Sequence, residues 1–442
     1  MFSRSPASRP THTKPAYRPI LAVLLAIGLA VSGEAALAQA PLTLHEAQQR
    51  AVARSGLVSA QAHAATAARE MAVAAGQLPD PVLKLAAENV PVEGPDRLSL
   101  NRDFMTMRRV AVMQDLPRAD KRQLRSERFA READKSLAAK AGATAAIQRD
   151  TALAWIDRHY AEAMATVAAA QVELARLEVQ AAESAYRAGR GSQADIVKAR
   201  AAVVEIEDRA SEIGRRVTNA RIMLARWVGN EETRPLGPLP ATDTIGLEVE
   251  GLEARLAQHP DIALLQQQEE IARTDVRLAR ANRTADWSVE LAYQRRGRGE
   301  PDMISVGVSV PLQWDRKRRQ DRALASSLAS ADQAAAEREE ALRGRVAEVR
   351  TMINEWQNAN ERHARHQRDM LPLARAGTVA ADAAYRGGRA TLPELLAARR
   401  NEADMHLQSL QLEAEGARLW AQLQFLFPDA GPNATVTKAP NE

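Results

Sequence analysis

One pattern occurs twice in this chain, in the same order each time, and such self-similarity restricts the fold more than any local motif does. Ala185-Tyr186-Arg187-Ala188-Gly189-Arg190 is matched by Ala384-Tyr385-Arg386-Gly387-Gly388-Arg389. An acid and two aliphatics follow both: Asp195-Ile196-Val197 and Glu394-Leu395-Leu396. Ala199-Arg200 and Ala398-Arg399 close the two motifs. Upstream, Leu116 before Lys121-Arg122 corresponds to Leu312 before Lys317-Arg318, and 44–79 resembles 251–283 more weakly. Duplication explains this shared order better than coincidence does.

Each copy reads alike. An Ala-rich helix is expected over 43–77 and again over 249–282, with Thr43 and Glu46 forming a capping box for the first. Two strand-like segments follow. A very long helix is expected over 119–188 and 315–386. It is stopped by Gly189 and Gly191 in one copy and by Gly387 and Gly388 in the other. A third helix is expected over 192–228 and 391–427, with Ser192 and Thr391 as N-caps and Pro393 in a tolerated first turn. The long helices would reach roughly 105 Å and the shorter ones roughly 50 to 55 Å. Two short helices end to end would therefore match one long one, giving an extended arm suited to spanning a gap.

The strand segments carry the next constraint. In 286–296, Trp287, Val289, Leu291 and Tyr293 fall on one face and Ser288, Glu290, Ala292 and Gln294 on the other. In 303–312, Ile304, Val306, Val308, Val310 and Leu312 oppose Ser305, Gly307, Ser309 and Pro311. Period-two alternation marks strands, and about nine to eleven residues is the length of a tilted membrane strand. The first pair, at about 82–90 and 104–116, is less regular: Leu83 and Leu85 flank Lys84, and Met105, Met107, Val110, Val112 and Met113 mix with Arg108 and Arg109. Four strands cannot close a barrel alone, and an outward apolar face needs lipid or a partner. A barrel shared between subunits meets both needs. A soluble ribbon packed on the helices is the alternative.

Composition agrees with a thin helical protein. Aromatics make up 4% and charged residues 26% of the chain, leaving strong helix formers such as Ala, Leu, Glu and Arg to dominate. Residues 1–40 read as a signal peptide: Arg4, Arg9, Lys14 and Arg18 precede a short apolar run at 20–30, and the small residues after it fit cleavage following Ala38 or Ala40. With no cysteine, an exported chain must be held by packing alone. The net charge of +4 is small and no basic stripe carries aromatics, so nucleic acid is not an expected partner. No hydrolase, zinc-protease, P-loop or dinucleotide motif occurs, and neither an enzyme activity nor a cofactor is expected. Met105, Met107 and Met113 suit soft cations, but ordinary strand packing is their simpler role. His363 and His366 lack a third ligand and read as a solvated helix face, so no metal site is expected.

In this doubled order of helix, two strands, long helix, turn and helix, the chain resembles the TolC-type outer-membrane efflux proteins. Its carriers are Tyr186-x-x-Gly189 with Asp195-Ile196-Val197, Tyr385-x-x-Gly388 with Glu394-Leu395-Leu396, and Asp115-Leu116-Pro117 before Lys121-Arg122. The resemblance covers nearly all of the chain beyond the leader. It implies a mostly helical protein with a small β-barrel portion, assembled as a homotrimer in the outer membrane of a Gram-negative bacterium. Outer-membrane lipid would surround the barrel and a helical tunnel would enter the periplasm. The implied function is passive export within a tripartite system, with a periplasmic adaptor protein and an inner-membrane pump of the RND type as partners. The segment 104–122 looks most like the heavy-metal branch, which implies metal cations as cargo. A periplasmic adaptor or a soluble structural coiled coil is the rival reading. The expected organisation is a signal peptide at 1–40, a first repeat at 41–228, an equatorial linker at 229–248, a second repeat at 249–428 and a tail at 429–442. Tyr186, Gly189, Arg190, Tyr385, Gly388 and Arg389 are the expected adaptor contacts at the tunnel tip. Asp195 and Glu394 are candidate gate residues, with helix capping as their simpler role.

Overall fold

The computed structural model describes residues 40–428 apart from 248, 249 and 298. The expected signal peptide and C-terminal tail lie outside the described residues, except for Ala40. The body beginning at Leu42 contains nine α-helices and four strands among the described residues.

Helices α1 (Leu44–Arg54) and α2 (Gly56–Gly76) replace the single helix expected at 43–77. The break is local chemistry. Ser55 turns extended, and its hydroxyl accepts from the Val58 N–H at 3.2 Å, which starts a new helix instead of continuing the old one. Thr43 caps α1, accepting from the Glu46 N–H at 3.2 Å, but the expected box does not close, because the Glu46 carboxylate accepts from Arg50 and Arg234 instead. The second copy breaks at the corresponding place. Only the short α5 (Leu252–Leu256) precedes α6 (Pro260–Ala281), because Pro260 holds His259 out of the helical region.

Helix α3 (Ala119–Arg187) runs unbroken for 69 residues, about 104 Å at the standard rise. Much of its buried surface is alanine, including Ala133, Ala145, Ala152, Ala168, Ala175 and Ala182, so neighbouring backbones approach closely. Near the strands it lies against α2 and α6, where Arg122 donates to the Gly76 carbonyl at 3.1 Å and Arg277 pairs with Glu127 at 2.5 Å. Toward its far end it lies against α4 (Gln193–Val228) and α9 (Leu392–Gln424), with Arg221 on Glu162 at 2.8 Å and Arg418 on Asp157 at 2.5 Å.

The second long helix is not continuous, contrary to the expectation for 315–386. Residues after Asp315 form turns before α7 (Gln320–Arg365) begins. A π-turn at His366–Met370 then separates α7 from α8 (Leu371–Arg386). Pro372 accounts for the irregularity. It has no N–H to donate, and its ring crowds the carbonyl four residues back, so the helix widens by one residue immediately before it.

Strands β1 (Val82–Glu88), β2 (Met107–Leu116), β3 (Trp287–Arg295) and β4 (Met303–Ser309) form one antiparallel sheet in chain order. The two hairpins join through β2 and β3, with Arg108 opposite Arg295 and Leu116 opposite Trp287. Residues 104–106, expected in the second strand, instead form a turn in which Asp103 accepts from the Met105 and Thr106 N–H groups at 2.8 and 3.1 Å. Pro311 keeps β4 short.

The largest buried cluster lies midway along α3. Two tryptophans there hold the irregular chain of the linker, Trp356 donating to the Thr242 carbonyl at 3.1 Å and Trp420 to Thr244 at 3.0 Å, while Trp155 donates to the Leu42 carbonyl, at the start of the body, at 3.0 Å. Arg158, almost fully buried, donates to the Glu232 and Arg234 carbonyls at 2.5 and 2.7 Å. A single parallel bridge, Leu42 to Leu236, ties the start of the body to this belt.

Candidate membrane face and helical tip

The register sorts the sheet into two unlike faces. One face carries the rows Leu83–Val112–Leu291–Val306 and Leu85–Val110–Tyr293–Ile304, then Val289 beside Val308. These side chains are exposed: Ile304 is 73% and Val306 71% accessible, with Leu85 at 72%. Trp287 borders the band on the helix side and Tyr293 on the loop side, six residues or about 20 Å apart. Trp314, just beyond β4, is also fully open. An apolar band of about 25 Å between aromatic borders is what a lipid-facing strand surface requires. No helix among the described residues is long and apolar enough to cross a membrane.

The opposite face is polar or small: Lys84, Ala111, Ala292 and Ser305 form one row, and Arg109 and Gln294 another. Lys84 pairs with Glu290 at 2.8 Å, Arg109 with Glu88 at 3.0 Å, and Arg109 also with Glu290. The charges alternate and cancel across three strands. The register therefore resolves the irregular first hairpin. Val110 and Val112 join the apolar face, while Arg109 and Met113 turn to the polar one. Met107, Met113 and Met303 all lie on the polar face, and Met105 sits in the loop.

The two turns expected at the tip are built alike. The Arg190 N–H donates to the Ala185 carbonyl and the Gly189 N–H to Tyr186, both at 2.9 Å. The Arg389 N–H donates to Ala384 at 2.8 Å and the Gly388 N–H to Tyr385 at 3.0 Å. Each is a Schellman closure whose left-handed residue is Gly189 (φ 72°) or Gly388 (φ 69°). Gly191 and Gly387 do not take that role. Next, Ser192 and Thr391 start α4 and α9 with reciprocal capping boxes. Asp195 accepts from the Ser192 N–H at 2.9 Å and hydroxyl at 2.7 Å, and these bonds hold its carboxyl below the usual range. Glu394 accepts from the Thr391 N–H at 2.8 Å.

The fold brings the two turns to one end. Ile196, Leu392 and Leu396 form a small core with Ala182 and Ala199, and Tyr385 packs against it. Tyr186, Arg190 and Arg389 stay exposed. Behind the turns lies a cluster that the sequence did not reveal. Arg399 of α9 reaches Glu178 of α3 at 3.4 Å and Asp382 of α8 at 3.5 Å. Burial pushes the Glu178 carboxyl up against the opposing pull of Arg399. Neither partner lies at helical spacing from Arg399 in sequence, so periodicity held no signal for the group. No cluster of three or more His, Cys, Asp or Glu that could hold a metal ion occurs among the described residues.

Residues 252–427, which take in most of the expected second repeat, match the family model described as outer membrane efflux protein. No protein of curated function matches the chain by sequence. Three solved structures illustrate the shared fold. The outer-membrane channel OprN aligns with a TM-score of 0.72 at 19% identity, covering 87% of this chain and 89% of that one. VceC from Vibrio cholerae aligns at 0.71 and 19%, covering 87% and 95%. CusC, described with transmembrane channel formation, aligns at 0.72 and 15%, covering 87% and 92%. The chain thus has the mostly helical fold, with a small antiparallel sheet, of outer-membrane efflux channels.

Proposed function

We propose that this chain is the outer-membrane channel of a tripartite efflux system and works as a homotrimer. The two-faced sheet carries this reading. Its apolar face suits lipid, its polar face suits water, and the outer edges of β1 and β4 are unpaired among the described residues of one chain. Pairing β1 of one copy with β4 of the next would close a twelve-stranded barrel from three copies and remove every edge. Below it, the α3 arms would line a tunnel about 100 Å long. The channel would do no chemistry; an inner-membrane pump of the RND type would supply the energy and a periplasmic adaptor would join the two. The exposed Tyr186, Arg190 and Arg389 beside the two glycine turns suit adaptor contact. Asp195 and Glu394 are the proposed gate acids, held in place by their capping bonds to Ser192 and Thr391. An N-terminal signal peptide would export the chain.

Heavy-metal cations are the proposed cargo. Met107, Met113 and Met303 on the water-facing side of the strands support this, because thioethers pass soft cations without the tight hold of a thiolate. The rival readings, a periplasmic adaptor or a soluble coiled coil, leave the exposed apolar strands without a neighbour. Fractionation of expressing cells decides between them. A heat-modifiable trimer in the outer membrane, conducting in planar bilayers, is expected. A soluble periplasmic monomer would overturn the channel reading. Unchanged metal sensitivity on deletion would remove the metal cargo alone.

A further inference from the structure

Directly opposite each other on β2 and β3 stand two arginines, Arg108 and Arg295. Cross-strand neighbours of like charge about 5 Å apart are destabilising unless something offsets the repulsion. No carboxylate among the described residues does so here. Arg295 forms no ion pair among the described residues, and Arg108 has only the Arg296 carbonyl, at 3.4 Å. The Arg108 Nε is shielded from water and lacks a hydrogen-bond partner. The acids around them are engaged elsewhere: Asp302 takes the Tyr293 hydroxyl, Glu300 pairs with Arg296 at 3.4 Å, and Glu88 pairs with Arg109 on the opposite face. In the loops, Arg102 pairs with Asp96 at 3.6 Å.

Position gives this pair its meaning. By register it shares the apolar face and lies one same-face step beyond Val110 and Tyr293, on the side of the loops. The face therefore changes, over two same-face steps of β3 from Leu291 through Tyr293 to Arg295, from aliphatic to aromatic to doubly cationic. On a lipid-facing barrel that step falls at the level of the outer-leaflet headgroups. We propose that Arg108 and Arg295 together bind a phosphate of an outer-leaflet glycolipid of the lipid A class. Two guanidinium forks offer parallel charge-assisted donors to phosphate oxygens, and the anion removes the repulsion between them. The trimer would carry three such sites around its rim. The inference rests on the membrane reading above.

Native mass spectrometry of the full-length chain, purified as its trimer, tests it. The probes are bis-phosphorylated lipid A, dephosphorylated lipid A and phosphatidylglycerol. The parent protein is expected to retain the bis-phosphorylated form over the dephosphorylated one by about tenfold, the worth of one good charge-assisted contact pair. The Arg108→Gln, Arg295→Gln double variant is expected to lose that preference, while Arg97→Gln in the loop keeps it. Planar-bilayer conductance of each variant reports assembly independently. A conducting parent that binds all three lipids alike, or prefers phosphatidylglycerol, would overturn the inference and leave the channel intact. So would a conducting double variant with undiminished preference. A chain that never inserts would overturn both readings.

Discussion

Gly189 and Gly388 hold left-handed backbone that any side chain strains, although a Cβ at either would meet nothing within 4 Å. The cost of a substitution there is therefore conformational. Gly189→Ala and Gly388→Ala are each expected to destabilise the far end of the arms by about 1 kcal/mol. Gly214 is the control. It lies inside α4 with helical backbone and open space around it, so Gly214→Ala should stabilise by up to about 1 kcal/mol. Chemical unfolding of the detergent-solubilised chain checks all three signs. Arg158 belongs to a different class. Arg158→Met would strip the Glu232 and Arg234 carbonyls of a buried donor and should cost about 3 kcal/mol. The glycines were legible because left-handed closure demands that residue type. Arg158 was not, since nothing in its neighbourhood of sequence names two carbonyls of the linker as its acceptors.

Strand β4 gives the sharpest contrast at the scale of elements. Val306 and Ser305 are adjacent in sequence and face opposite sides of the sheet. Val306→Lys should cost about 2 to 4 kcal/mol if its face meets the bilayer midplane, and should deplete the heat-modifiable trimer on semi-native gels. Ser305→Lys should leave the trimer band unchanged. Equal effects would mean that neither face meets lipid. Alternation made this hairpin readable in the sequence because both its strands keep one parity throughout. The first hairpin hid its parity. Lys84 and Arg109 belong to a salt-bridge lattice completed by Glu290 of the other repeat, so its logic is cross-strand and invisible along the chain. The helix breaks were partly visible. Pro260 and Pro372 are breakers, whereas Ser55 acts through a single hydroxyl in an otherwise helical run.

Across the whole body, the two regions that α3 connects should answer acid in opposite ways. In the belt, hydrogen bonds from Arg234 hold both Glu46 and Glu231 below the usual carboxylate range, with Arg50 assisting. Their stabilising contribution is present above about pH 4.3 and is lost as pH falls through the lowered folded values. Near the tip, burial raises Glu178. Its contribution has the other sign: complete below about pH 4.3 and lost as pH rises through the raised value. Hydrogen exchange should therefore show tip protection rising as pH drops from 7 toward 4, followed by loss of belt protection below that. Glu178→Gln should abolish only the first response. The repeat predicts an arm in each half but not how the halves diverge: the second arm starts late, after the turns beyond Asp315, and is interrupted again before Pro372. The added residue at His366–Met370 advances α8 by about 100° about its own axis relative to an unbroken helix. The two hairpins of one chain thus end in matching turns reached at different screw phases. In the proposed trimer a ring built from them would have true threefold but only approximate sixfold character, so copies of one partner docking around it would meet two alternating kinds of groove.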